Sequence, residues 1–285
     1  MKISNKKISM LTHIASQIRK DIIEMIWNAG SGHPGGSLSI ADIIAALYFD
    51  ILNIDSTNPT KKNRDRLVLS KGHACPAVYS ALSLKGFFER DKLKTLRNIG
   101  SILQGHPDMN KTPGIDMTTG SLGQGLSAAV GMALGLRLEN IDSYVFCIIG
   151  CGEMQEGQIW EAAMAAAHYK LDKLIAIVDY NRLQIDGRMD EVMEVEPVVM
   201  KWLSFGWYVI EINGHDFNQI IAAINFLKLI NKKPKVLIAN TIKGKSVSFM
   251  ENVAMWHGTP LSFDQKERAI EEISKYETQC KKPAI

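Results

Sequence analysis

From His13 to Ala29 the apolar residues Ile14, Ile18, Ile22, Met25 and Ile26 recur every three or four positions, the spacing of one buried helix face. Gly30 supplies the stop. Ser39 is expected to cap a second helix, SIADIIAALYFD, with Asp42 completing the capping arrangement. RLVLS, residues 66–70, reads as a short buried strand, and ACPAVYSALSLKG as a helix ended by Gly86. A loop rich in Gly, Pro, Asp and Thr runs from Gly105 to Gly125, and GLSAAVGMALGLRLEN follows it as a helix. That helix carries Gly, Ala and Ser along its length, which predicts close packing against its backbone.

The second half alternates regularly. SYVFCIIG is a strand, EGQIWEAAMAAAHYKL a helix and KLIAIVDYN a strand. After a loop and the helix end KWLSFG come the strand WYVIEING, the helix HDFNQIIAAINFLKLI, the strand PKVLIANTIKG and a last helix from Phe263 to Tyr276. Strands alternating with helices of this length imply an α/β fold with a mainly parallel central sheet, right-handed crossovers and flanking helices. No repeat or linker divides the chain, so one domain over residues 1–285 is expected, with ligands at the C-terminal edge of the strands.

Composition narrows the function. A chain of 285 residues, 46% hydrophobic and 22% charged, is long enough for a substantial core. The net charge of +3 is small and evenly spread, which argues against a nucleic-acid partner. Cys75, Cys147, Cys151 and Cys280 form no CxxC pair, which fits reduced thiols and a cytoplasmic location. No leader sequence and no membrane-spanning run is expected.

The chemistry concentrates in glycine-flanked loops. SGHPGGS, SKGHACP and QGHPD place His33, His73 and His106 beside residues that let a ligand approach the backbone, and imidazole donates hydrogen bonds and moves protons near neutral pH. TTGSLGQG is a glycine-rich helix entry, but no Gly-Lys-Ser/Thr follows, so it is not a P-loop. GCGEMQEG lacks the third glycine of a dinucleotide fingerprint. It is still a strand feeding a glycine turn, and the residue between its glycines is Cys151.

Taken in order, SGHPGGSLS, SKGHACPAVYSAL, GHPD, TTGSLGQGLSAAVGMALG, the GxGEMQEGQIWEA segment, DYNRLQIDG and TIKGKSVSFMEN followed by WHG resemble the N-terminal half of transketolase. They are most similar to the separate N-terminal subunit found where transketolase is split into two chains. The resemblance spans essentially the whole chain and implies the diphosphate-binding domain of a thiamine diphosphate enzyme. It implies cofactor contacts at His73, Gly120, Ser121, Leu122, Gly150, Cys151, Gly152, Glu153, Glu156, Asn181, Ile185 and His257. Among these, Gly152 and the following helix would bind the diphosphate with His73 and His257, the Gly120 carbonyl would hold the aminopyrimidine, and Leu122 and Ile185 would bend the cofactor. His33, His106 and His257 would face a ketose, His33 and His257 moving protons and His106 recognising the ketol hydroxyls. Glu156 would meet carboxylates across a subunit interface.

The same resemblance implies a magnesium or calcium site at Asn181 and the Leu183 carbonyl, completed by an aspartate whose place Cys151 takes. Hard cations prefer oxygen, and a thiol must lose its proton to ligate, so the metal is expected to be weak, absent or exchanged for a softer ion such as manganese or zinc. The implied activity is transfer of a two-carbon ketol unit from a ketose to an aldose, on sugars or sugar phosphates. A C-terminal partner subunit would supply the glutamate that activates the cofactor, in an α2β2 assembly. The rival readings are a 1-deoxyxylulose-5-phosphate synthase, a 2-oxo acid dehydrogenase component and a non-catalytic subunit. The GHP and WHG histidines favour transketolase over the first two, and Cys151 is what keeps the third open.

Overall fold

The computed structural model describes residues 3–280. The chain begins with three helices, α1 (Asn5–Ala29), α2 (Pro34–Leu38) and α3 (Ala41–Ala46). Strand β1 (Arg66–Leu69) precedes α4 (Cys75–Leu84), and after a long loop come α5 (Gln124–Leu138), β2 (Val145–Gly150), α6 (Gly157–His168) and β3 (Leu174–Tyr180). Two short helices, α7 (Met189–Val192) and α8 (Val198–Ser204), lead into β4 (Tyr208–Asn213), α9 (Phe217–Leu227), β5 (Lys235–Asn240) and α10 (Phe263–Cys280). Among the described residues no helix is long and apolar enough to cross a membrane.

The strands form one five-stranded parallel sheet in the order β1-β2-β3-β5-β4. Strands β2 and β3 are buried along their whole length. Successive side chains leave the sheet on opposite faces, and the core divides accordingly. Phe146, Ile148, Ile175, Ile177 and Leu237 join one cluster with α1, α3, α4 and α9. Val145, Cys147, Ile149, Ala176, Val178 and Ile238 join the other, beneath α5, α6 and α8. Helices on both faces oblige the strands to be apolar on both sides, which is why they read as continuous hydrophobic runs.

Several assignments differ from the sequence reading. Helix α1 starts eight residues earlier than His13, at Asn5, because Ser4 caps it by accepting from the Lys7 backbone N–H at 3.3 Å. Gly30 ends it in the left-handed conformation, as expected. Ser39 does not cap α3. It follows α2, and its hydroxyl lies 2.7 Å from Asp179 Oδ2. Asp42 is not part of a capping box either: it meets Arg19 Nη2 at 2.5 Å and His215 Nδ1 at 2.7 Å. Helix α10 continues past Tyr276 to Cys280. On α5 the expected close approach holds at one glycine. A Cβ on Gly125 would stand 2.6 Å from Ser70 Cα, whereas Gly131 and Gly135 face open space.

The Asp42 cluster joins α1, α3 and the loop after β4. Burial alone would raise the Asp42 carboxyl, but Arg19 and His215 outweigh it and hold the group well below the usual carboxylate range. Removing one partner of such a pair leaves a buried charge uncompensated. Asp42→Ala is therefore expected to cost about 3–5 kcal/mol in urea unfolding. The double change Arg19→Met with Asp42→Leu should recover most of that loss. A single variant as stable as the parent would show that the pair carries no such weight.

Candidate functional site

The C-terminal ends of β1, β2, β3 and β5 open into one cavity of about 370 Å³. Lys71 and His73 enter from the loop after β1, Gly150, Cys151 and Gly152 from the turn after β2, Asn181 and Leu183 from beyond β3, and Lys243 from beyond β5. Gly120 and Leu122 enclose it from the loop before α5, Ile185 and Glu156 stand at its edge, and His257 comes from a short 3-10 turn, Ala254–His257. The turn after β2 does not run straight into α6. A 3-10 turn over Gly152–Gln155 intervenes, and α6 starts only at Gly157.

A buried ion pair organises the floor. Lys71 Nζ lies 2.6 Å from Asp179 Oδ2 and donates to the Gly36 carbonyl at 2.8 Å. Asp179 also accepts from the Ser39 and Thr241 hydroxyls and from Asn181 Nδ2 at 2.8 Å. Burial pushes the Asp179 carboxyl up, but the Lys71 charge and these hydrogen bonds prevail and hold it below its ordinary value.

Glu153 joins the two glycine loops. Its carboxylate accepts from the backbone N–H of Gly150 at 2.8 Å and of Gly123 at 2.9 Å, and from the Ser70 hydroxyl. Those bonds commit both oxygens, so Glu153 shapes the cradle rather than offering a free carboxylate. Gly123, with φ of 87°, lets the chain turn into α5 where a Cβ would stand 2.9 Å from Glu156 Cβ.

Four imidazoles gather at the mouth. The His33 ring centroid lies 5.1 Å from that of His73, 5.3 Å from His257 and 6.4 Å from His106, and His73 and His257 are 5.0 Å apart. His106 is placed by α4: the Tyr79 hydroxyl donates toward the carbonyls of Gln104 at 2.9 Å and His106 at 3.1 Å, and Cys75 Sγ lies 3.3 Å from the Gly105 carbonyl. All four rings are held toward the neutral form. Burial is the largest cause for each, and neighbouring cations add to it, Arg97 at His33 and His106, Lys71 and Lys243 at His73 and His257.

Thus His73, Gly120, Leu122, Gly150, Cys151, Gly152, Glu153, Glu156, Asn181, Leu183, Ile185 and His257 all border the cavity, and His33 and His106 stand beside it. Ser121 is exposed and outside the walls. Sequence reasoning missed Lys71, Lys243 and Arg97. The first two lie inside quoted motifs, SKGHACP and TIKGK, but nothing in the sequence says that both are buried.

The donor set favours an anion over a metal. Lys243 is 2% exposed, and its hydrogen-bond partners among the described residues are the Gln184 carbonyl at 3.4 Å and His257 Nδ1 at 3.1 Å, with no carboxylate. Burial and the neighbouring Lys71 lower its ammonium to about 8. The Asp179 charge offsets only part of this; a buried cation with no carboxylate at hydrogen-bond distance is costly until an anion arrives, and a diphosphate fits that need. A hard divalent cation fits poorly. Asn181 gives its Nδ2 to Asp179 and receives the Leu183 N–H on Oδ1 at 3.0 Å. Cys151 is 2% exposed, and burial pushes its thiol up to about 12, so the side chain is neutral. Among the described residues no group of three or more His, Cys, Asp or Glu side chains is arranged to hold a metal.

Residues 10–277 match the family described as transketolase, thiamine diphosphate binding domain. The chain is 50% identical over 265 residues to the 6-deoxy-6-sulfo-D-fructose transketolase subunit SqwG of Clostridium sp. (strain MSTE9), covering 93% of this chain and 96% of that one. It is 46% identical over 257 residues to an apulose-4-phosphate transketolase subunit of Phocaeicola vulgatus, covering 90% and 91%. The solved transketolase of Campylobacter jejuni superposes with a TM-score of 0.84 at 33% identity, covering 99% of this chain but 48% of the solved chain. The chain belongs to the transketolase family, as a subunit built on its thiamine diphosphate binding domain.

Proposed function

We propose that this chain is the diphosphate-binding subunit of a two-chain transketolase that passes a two-carbon ketol unit from a ketose to an aldose. The observation that carries the reading is the buried Lys243, which no carboxylate hydrogen-bonds among the described residues, in the same cavity as His73 and His257, with His33 and His106 alongside. Bound thiamine diphosphate would supply the carbanion stabilisation. Lys243, His73, His257 and the backbone N–H of Gly152 would hold its diphosphate, above Lys71, whose charge is committed to Asp179. The Gly120 carbonyl would accept from the aminopyrimidine, and Leu122 and Ile185 would support its bent shape.

His33, His106 and His257 would meet the hydroxyls of the sugar. Both relatives are named for sugars bearing an anionic group, a sulfo group in one and a phosphate in the other. A sugar phosphate or similarly modified sugar is the substrate class that follows. Glu156 is exposed at the start of α6, where a neighbouring subunit can reach it. The partner would be a C-terminal transketolase chain bringing the activating glutamate, in a cytoplasmic α2β2 enzyme.

The purified chain alone is therefore expected to show no ketol transfer. Turnover should appear when a pyrimidine-binding partner chain is added, measured with a ketose donor and an aldose acceptor. Robust transfer by this chain alone would sink the two-chain reading.

The metal reading follows from Cys151. The fixed charge of Lys243 offsets part of the diphosphate charge, and magnesium or calcium adds little. Thiamine diphosphate titration of the assembled enzyme should give similar affinities in magnesium and in chelator. Cys151→Asp should tighten binding in magnesium and weaken it in chelator, because an unneutralised carboxylate would then face the diphosphate. A parent protein as dependent on magnesium as the Cys151→Asp variant would overturn this account.

A further inference from the structure

Two of the four imidazoles carry a cation on the same ring nitrogen. Arg97 Nη2 lies 3.4 Å from His33 Nδ1, and Lys243 Nζ lies 3.1 Å from His257 Nδ1. Guanidinium and ammonium groups donate and do not accept. Each Nδ1 must then be the acceptor, and the single proton of a neutral imidazole resides on Nε2.

We propose that Arg97 and Lys243 are positioning residues that lock His33 and His257 in the Nε2–H form, so that both present a fixed donor to ligand oxygens and neither takes up a proton through Nε2.

The supports of both cations are specific. Arg97 sits in the left-handed region, with φ of 64°, and its backbone N–H bonds the Leu103 carbonyl at 2.8 Å. Its guanidinium lies against Gly105, where a Cβ would stand 3.0 Å from Arg97 Cζ. His33 is held from its other side, since its carbonyl accepts the Ser37 hydroxyl at 2.7 Å. Lys243 is buried, and the Gln184 carbonyl takes a second of its protons at 3.4 Å. The rings themselves resist charging. Burial, then Arg97, His106 and Lys243, lowers His33 to about 4, and burial, then Lys243, His33 and Lys71, lowers His257 to about 3. Neutral, singly tautomeric rings are thus available throughout the physiological range.

The consequence differs from the proton-transfer role expected of these two histidines from sequence. A preset N–H aimed at an oxygen stabilises negative charge there without reorganising. His106 has no cation at hydrogen-bond distance among the described residues, so its tautomer is not preset, although burial and then Arg97 hold it too toward the neutral form. The inference rests on the transketolase reading only for what the donors meet; the tautomers themselves belong to the unliganded chain and do not depend on turnover.

The test is long-range proton–nitrogen NMR of the chain labelled with 15N-histidine, recorded across pH with the parent, Arg97→Met, Arg97→Lys and Lys243→Met. The parent should show His33 and His257 as Nε2–H tautomers. In Arg97→Met, His33 should become a mixture of tautomers and titrate nearer the ordinary value of about 6.5. Arg97→Lys should keep the Nε2–H form, and Lys243→Met should release His257 alone. Nδ1–H in the parent at either ring, or an unchanged His33 tautomer in Arg97→Met, overturns the proposal. The parent spectra decide the first point even where a variant fails to fold.

Discussion

The Lys71–Asp179 pair ties together the ends of β1, β3 and β5 and helix α2 beneath the cavity. Lys71 follows β1, Asp179 lies in β3, the Gly36 carbonyl belongs to α2, and Thr241 follows β5. A buried ion pair earns little by itself, because desolvation offsets its attraction. Here the remaining hydrogen-bonding capacity of the carboxylate is taken by Ser39, Asn181 and Thr241, which turns a costly pair into a satisfied junction. The strand ends are thereby set at fixed separations, and the glycine turn after β2 opens between them. Glu153 repeats the device one layer out, clamping the Gly123 loop to the Gly150 turn.

The fold was legible because a parallel sheet covered on both faces leaves a plain signal. The apolar runs of β2, β3 and β5 and the helical spacing in α1 and α9 named themselves. Where the reading failed, a long-range contact overrode a local preference. Ser39 and Asp42 have the chemistry of a cap, yet Asp179 is 140 residues from Ser39 and His215 is 173 residues from Asp42. No local pattern carries that information.

The site divides in the same way. Histidines beside glycine stand out in sequence, and the shared order of motifs identified the cavity walls. Lysines and arginines do not stand out, since most are solvated. Lys71 and Lys243 acquire meaning only when folding buries them against Asp179 and His257, and Arg97 when folding sets it, half-buried, beside His33. The geometry therefore changes the account of the histidines themselves. Cations beside Nδ1 of His33 and His257 bear on which nitrogen carries the proton, a property that spacing alone cannot express.

The same electrostatic setting makes sense of a thiol at position 151. Asp179 is close enough for its charge to disfavour a thiolate there, adding to the effect of burial. A carboxylate at that position would feel the same repulsion, and would need a bound cation to be stable beside Asp179 and an incoming diphosphate. With a neutral thiol, Lys71 balances Asp179 and the charge of Lys243 is left over for the ligand. A neutral thiol at position 151 and a buried lysine that no carboxylate hydrogen-bonds among the described residues are thus two sides of one charge balance.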